Sequence, residues 1–338
     1  MIKWNPGFDY LQKVIDEFFQ DPFLCGKGSP FLPYIHNIKQ NPKFTGYQLG
    51  KIKIGVFGNQ WVNQRKWEKS FWAFLVSKFN ELSHHAQPLE IYWFPIPIDK
   101  SIQNAPHPFH SIVWNTGSCH HQVGEPCRIF IVRIQEAWKV LCHEAFHWLG
   151  LGRNLENPTL TNLWKKERGW ISNGPVLLEE AWVETLASIW YPRWLCEYLK
   201  KENNEMVLWR LFGEQFGRMS NFCREWWATS SPNEIKCLKS HEPFLDDACR
   251  GWYQDTNVYS YVFWKEKLWG NEKIMKFMRL PLEKQIELQK DDRVCLELQI
   301  AALRELVEPV RSGREVGDIE IRFLPRTEIW LGRRFDSG

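Results

Sequence analysis

The sequence predicts an α+β fold, with a mixed sheet layer before residue 135 and a mostly helical C-terminal part after it. Three observations predict it. Short β-branched and aromatic runs, such as KIKIGVF and RIFIVR, cluster ahead of residue 135. From Gln135 onward apolar residues recur every three or four positions. Strands first and helices later argue against the regular alternation of a doubly wound sheet. With 338 residues, 44% hydrophobic and 25% charged, the chain can bury a large core, and disorder is excluded.

Taken in order, Pro6 to Gln20 has the spacing of a short amphipathic helix, and the stretch to Pro42, broken by Pro and Gly, reads as loop. Lys51–Phe57 and Leu89–Ile98 read as strands around a helix over Gln64–Leu82. Ser111–Asn115 and Arg128–Arg133 are two more strands, joined by a polar loop holding Cys119, His120, His121 and Cys127. Helices are expected over Gln135–Leu149, Val176–Tyr191, Arg193–Lys201, Met206–Trp227, around Val258–Met278, and over Leu282–Val307. Pro192 should end or kink its helix, and Asp318–Phe323 is a last strand.

Lys and Arg total 43 against 40 Asp and Glu, with no block of like charge, so nucleic acid is not an expected partner. No apolar run is long enough to span a membrane. The first twenty residues carry Asp9, Asp16 and Glu17 where a signal peptide needs an apolar centre. Nine cysteines, odd in number and irregular in spacing, read as reduced thiols, which implies an intracellular, cytoplasmic setting. The 20 tryptophans are expected mainly in the core.

The helix over Gln135–Leu149 contains His143-Glu144-Ala145-Phe146-His147. Two histidines four apart share one helical face, so both imidazoles can reach a single Zn²⁺, and Glu144 can serve as general base toward a metal-activated water. Zinc needs a third protein ligand. A histidine ten residues after His143 is excluded, because Arg153 stands there. A carboxylate from Pro175–Tyr191 remains: Glu180 and Glu184 share a face there, and Glu179 is rotated away.

HExxH followed on a later helix by EExxxE resembles the zincin metallopeptidases of the gluzincin type, over residues 135–190 only. The resemblance implies one Zn²⁺ per chain, with His143, His147 and Glu180 as ligands and Glu144 as the catalytic base. Glu184 would then orient a ligand histidine. It implies a hydrolase cleaving peptide bonds in a protein or peptide substrate; the alternative is an inactive zincin-like binding module. The organisation would be a lead-in over 1–45, a zincin-like catalytic core over 46–200, and a helical part over 201–338 closing the cleft. Ser111–Asn115 is the candidate edge strand for substrate. Tyr253, Tyr259, Tyr261, His241, His120 and His121 are candidate oxyanion donors. Gly150 imitates the start of the metzincin pattern HExxHxxG, which Arg153 then breaks. Cys119, His120, His121 and Cys127 lack a standard metal spacing and read as a solvated loop. The neighbours Glu179 and Glu180 diverge on a helix rather than flank a sugar bond.

Overall fold

The computed structural model describes residues 1–22, 24–26, 29–40, 42–58, 66–98, 115–134, 136–167, 177–201, 204–229 and 260–305. The expected strand Asp318–Phe323 lies outside these residues, as does Ser111–Asn115 except for Asn115, which is not in a strand. The chain divides into two compact units. One comprises Met1–Lys100, Asn115–Leu151 and Leu186–Met206, the other Ser101–Trp114, Gly152–Thr185 and Val207–Gly338.

The first unit is built on a mixed sheet of β1 (Ile2–Trp4), β2 (Phe44–Leu49), β3 (Ile52–Phe57), β4 (Leu89–Ile96), β5 (Gly117–His120) and β6 (Cys127–Arg133). Its spatial order is β1-β2-β3-β4-β6-β5, with β3, β4 and β6 parallel and the pairs β1–β2, β2–β3 and β5–β6 antiparallel. Side-chain alternation gives the sheet two faces. One takes α1 (Phe8–Phe19) and α2 (Leu32–Gln40). Leu11, Val14, Ile15 and Phe18 of α1 recur at helical spacing and are all buried. Phe18 stacks on Phe94, and Phe94 on Phe57, with centroids 4.2 and 4.5 Å apart. The other face takes α3 (Lys66–Leu82), whose Trp72 meets Trp93 at 4.9 Å, and α4 (Ala137–Trp148), which packs on β5 and β6.

Four elements of this unit differ from the sequence reading. The stretch read as loop contains α2, and β1 and β2 extend the sheet through the lead-in. In β2, FTGYQL looks interrupted by Gly46, yet a Cβ there would stand 2.4 Å from the Trp4 carbonyl oxygen. The glycine marks close backbone approach, not a turn. Gly117–His120, read as polar loop, is strand β5; its four residues include no β-branched one, and pairing with β6 makes them a strand.

α6 (Leu178–Tyr198) is one continuous helix contributing residues to both units, and it passes through Pro192 instead of ending there. It is buried on all sides from Ala181 to Pro192, so tertiary packing outweighs the local cost of proline. The second unit also holds α5 (Pro158–Glu167) and most of α7 (Glu205–Thr229). A π turn at Ser260–Trp264 leads into α8 (Lys265–Gly270), followed by α9 (Glu272–Met278), α10 (Leu282–Leu288) and α11 (Asp292–Arg304). The single helix expected over Leu282–Val307 is broken where the Asp291 carboxylate accepts from the backbone N–H groups of Arg293 and Val294 and caps α11. Trp264 is fully buried and donates to the Ala302 carbonyl at 3.0 Å. Among the described residues no helix is long and apolar enough to cross a membrane.

Candidate metal centre

α4 begins directly after β6. Glu136 takes a left-handed φ of 60° between them, turning the chain from the sheet into the helix. Every residue from Ala137 to Phe146 is buried, including His143 and Glu144, which are 8% and 7% exposed. The helix ends in a Schellman motif: Gly150 N–H donates to the His147 carbonyl at 2.9 Å, and Leu151 N–H to the Phe146 carbonyl at 3.0 Å. Gly150 stands at φ 72°, the left-handed conformation this motif requires. Its place in HExxHxxG therefore has a local explanation in helix termination.

The helical spacing puts the Nε2 atoms of His143 and His147 3.2 Å apart. The ligand atoms of these two histidines and of Glu180 all lie within 4.8 Å of one another. Two nitrogens at tetrahedral zinc distance, about 2.0–2.1 Å from the ion, stand about 3.3 Å from each other, which is close to the spacing of this histidine pair. Glu179 and Glu184 are not members of this group. Glu179 lies in the first turn of α6, where its backbone N–H donates to the Glu156 carboxylate at 3.0 Å. Burial raises the Glu156 pKa, against the hydrogen bonds that it accepts from the start of α6. Glu184 is buried and accepts from Lys265 Nζ at 2.9 Å. Lys265 gave no sequence signal, since nothing local ties it to a helix some eighty residues earlier.

Glu144 faces the sheet. A Cβ on Gly117 would stand 2.8 Å from Glu144 Oε1 and 2.6 Å from Val140 Cγ1, so the absence of a side chain there makes room for the carboxylate. Gly117 opens β5, which pairs only with β6 among the described residues. The strand beside Glu144 is thus β5, a few residues beyond Ser111–Asn115.

Of the expected oxyanion donors, Tyr253, Tyr259 and His241 lie outside the described residues, and Tyr261 is in the π turn. His120 is on the opposite sheet face, donating to Asp21 at 2.9 Å with Glu17 at 3.6 Å. Burial lowers its pKa, but the two carboxylates prevail and raise it to about 9. His121 instead stands beside Cys119 and Cys127. This chain matches no protein-family model, no curated protein and no solved structure.

Proposed function

We propose that this chain is a zinc-dependent metallopeptidase of zincin-like fold, with His143, His147 and Glu180 holding one catalytic Zn²⁺ and Glu144 acting as general base on a peptide substrate. The observation that carries this reading is the pair of Nε2 atoms 3.2 Å apart on a buried helix, with a Glu180 oxygen within reach. The order of sheet before helices, and the placing of the HExxH helix on β5 and β6, support the zincin-like fold. A zinc ion held by this set supplies a Lewis acid for the scissile carbonyl and lowers the pKa of a water.

The residues of the chain do the rest. Glu144, next in sequence to His143 and shielded from bulk solvent, takes the proton from the attacking water and delivers it to the departing amine. The side of β5 that no described strand pairs would offer backbone groups to an extended peptide, which strand addition would hold alongside Glu144. The nine cysteines, odd in number and irregular in spacing, support a reducing, cytoplasmic setting.

The test is Glu144→Gln. The variant should fold and bind zinc like the parent but cleave nothing in a peptide library, because an amide accepts no proton from water. Turnover by the zinc-loaded variant would reject Glu144 as base. A zinc-loaded parent inactive on every peptide would favour the binding module instead.

A further inference from the structure

A second set of metal-ligating side chains lies on the α4 face of the sheet, at the turn end of the β5–β6 hairpin. The register pairs Cys119 with Ile129 and His120 with Arg128, so Cys119 and Cys127 are diagonal neighbours on one face. Continuing the register one step brings His121 opposite Cys127. Cys119 Sγ is 3.3 Å from Cys127 Sγ and 3.5 Å from His121 Nε2, and all three ligand atoms lie within 4.8 Å of one another. For tetrahedral zinc, bonds of about 2.3 Å to sulfur and 2.0–2.1 Å to nitrogen place S and S about 3.8 Å apart, and S and N about 3.5 Å. A disulfide needs about 2.0 Å, well short of the 3.3 Å between these sulfurs.

We infer that Cys119, His121 and Cys127 form a second Zn²⁺ site, with two thiolates and one imidazole as ligands and a fourth position open to solvent. The ligand set has no recognisable linear spacing because strand register, not helical period, assembles it. Its openness follows from burial: Cys127 is buried, Cys119 half-buried and His121 exposed. Gln87 acts as the positioning residue. Its side-chain Nε2 is 3.2 Å from His121 Nδ1; the amide turned by 180° would place its oxygen there instead, to accept Nδ1–H and leave the His121 Nε2 lone pair for the metal. The Gln87 carbonyl in turn accepts from Trp148 Nε1 at 2.9 Å, which ties the hairpin end to the end of α4. A metal here would clamp the strand whose first residue, Gly117, makes room for Glu144. The zinc complement would then be two per chain, one of them independent of the peptidase reading.

Cobalt titration of the reduced, metal-stripped full-length protein tests this, because only thiolate ligation gives a near-ultraviolet sulfur-to-cobalt charge-transfer band. The band should saturate at one thiolate-bound cobalt per chain, survive in His147→Ala, and vanish in Cys119→Ser/Cys127→Ser. Gln87→Leu should keep the band and weaken binding about tenfold to a hundredfold. No band in the reduced parent, or a band that persists in the double serine variant, would overturn the site. Should the double variant fail to fold, His121→Ala keeps both thiols, and unchanged cobalt affinity in it overturns the site equally. Failure of the peptidase reading leaves all these outcomes unaltered.

Discussion

On the α1 face of the sheet, Arg128 donates to Glu17 at 2.5 Å and to Glu90 at 3.3 Å, and Lys53 donates to Glu90 at 3.0 Å. On the α4 face, 3.2 Å separates two histidine nitrogens and 3.3 Å two cysteine sulfurs. The first face brings opposite charges together and the second brings like donors together. Opposite charges complete one another, and their burial fixes which strands meet which helix. Like donors gain from proximity chiefly when a cation joins them, so the second arrangement points to a ligand where the first points to architecture. Tyr10 and Tyr92 complete the first network, both donating to Glu90.

The comparison is broken most severely at Arg128, whose side chain is 2% exposed. Arg128→Met leaves Glu90 and Glu17 facing each other without their shared cation, and should cost about 3–5 kcal/mol in urea unfolding. Zinc content per folded chain should stay unchanged. A loss of zinc from folded Arg128→Met protein would show that the two faces are not separable.

On the other side of the comparison, Glu180→Ala should lower zinc retention in a graded chelator series more than any other change in α6, since only two protein ligands remain. Glu184→Ala has a different expected signature. Its carboxylate pairs with Lys265, so removal leaves a buried ammonium and should destabilise the fold by about 3 kcal/mol. A Glu184→Ala variant that keeps full stability but sheds zinc would favour the histidine-orienting role implied by the resemblance.

The amount legible in the sequence follows the same division. His143 and His147 are legible because a helix fixes side-chain direction every four residues, and the phase argument that selects Glu180 over Glu179 uses the same period. The Cys119–His121–Cys127 set and the network about Glu90 are not legible, because strand register connects residues whose separation carries no rule. β1 and β2 were hidden for a related reason: β1 has three residues, and β2 carries a glycine that local propensity reads as a turn. Continuity of α6 through Pro192 was hidden because packing on every side overrides a local breaker.

A smaller effect is expected from acid. Burial pushes the Glu90 carboxyl up, but hydrogen bonds from Tyr10, Lys53 and Tyr92 outweigh it and hold its pKa below the ordinary value. Arg128 faces the same carboxylate from β6. A folded pKa below the unfolded one contributes stability above the unfolded value, and that contribution is lost as pH falls through the folded value. Glu17 and Asp21 are depressed likewise, so stability should fall together on acidification below the ordinary carboxylate range. In Glu90→Gln, urea midpoints should lie below the parent's at neutral pH, with the gap narrowing in acid. A gap of constant size would mean that Glu90 contributes through packing alone.

The smallest effect sharpens the helix phase. Glu179 sits in the first turn of α6, about a hundred degrees round the helix from Glu180, and outside the ligand group. Its carboxylate favours the helix N-terminus but raises the pKa of neighbouring Glu156 by repulsion, so the two contributions oppose each other. Glu179→Ala should therefore change stability by no more than about 0.5 kcal/mol and leave zinc retention at the parent value. Glu180→Ala on the next residue should lose zinc at chelator concentrations that both the parent and Glu179→Ala tolerate. If Glu179→Ala sheds zinc as readily as Glu180→Ala, the carboxylate that completes the His143–His147 pair is not selected by helical phase, and the ligand assignment on α6 fails with it.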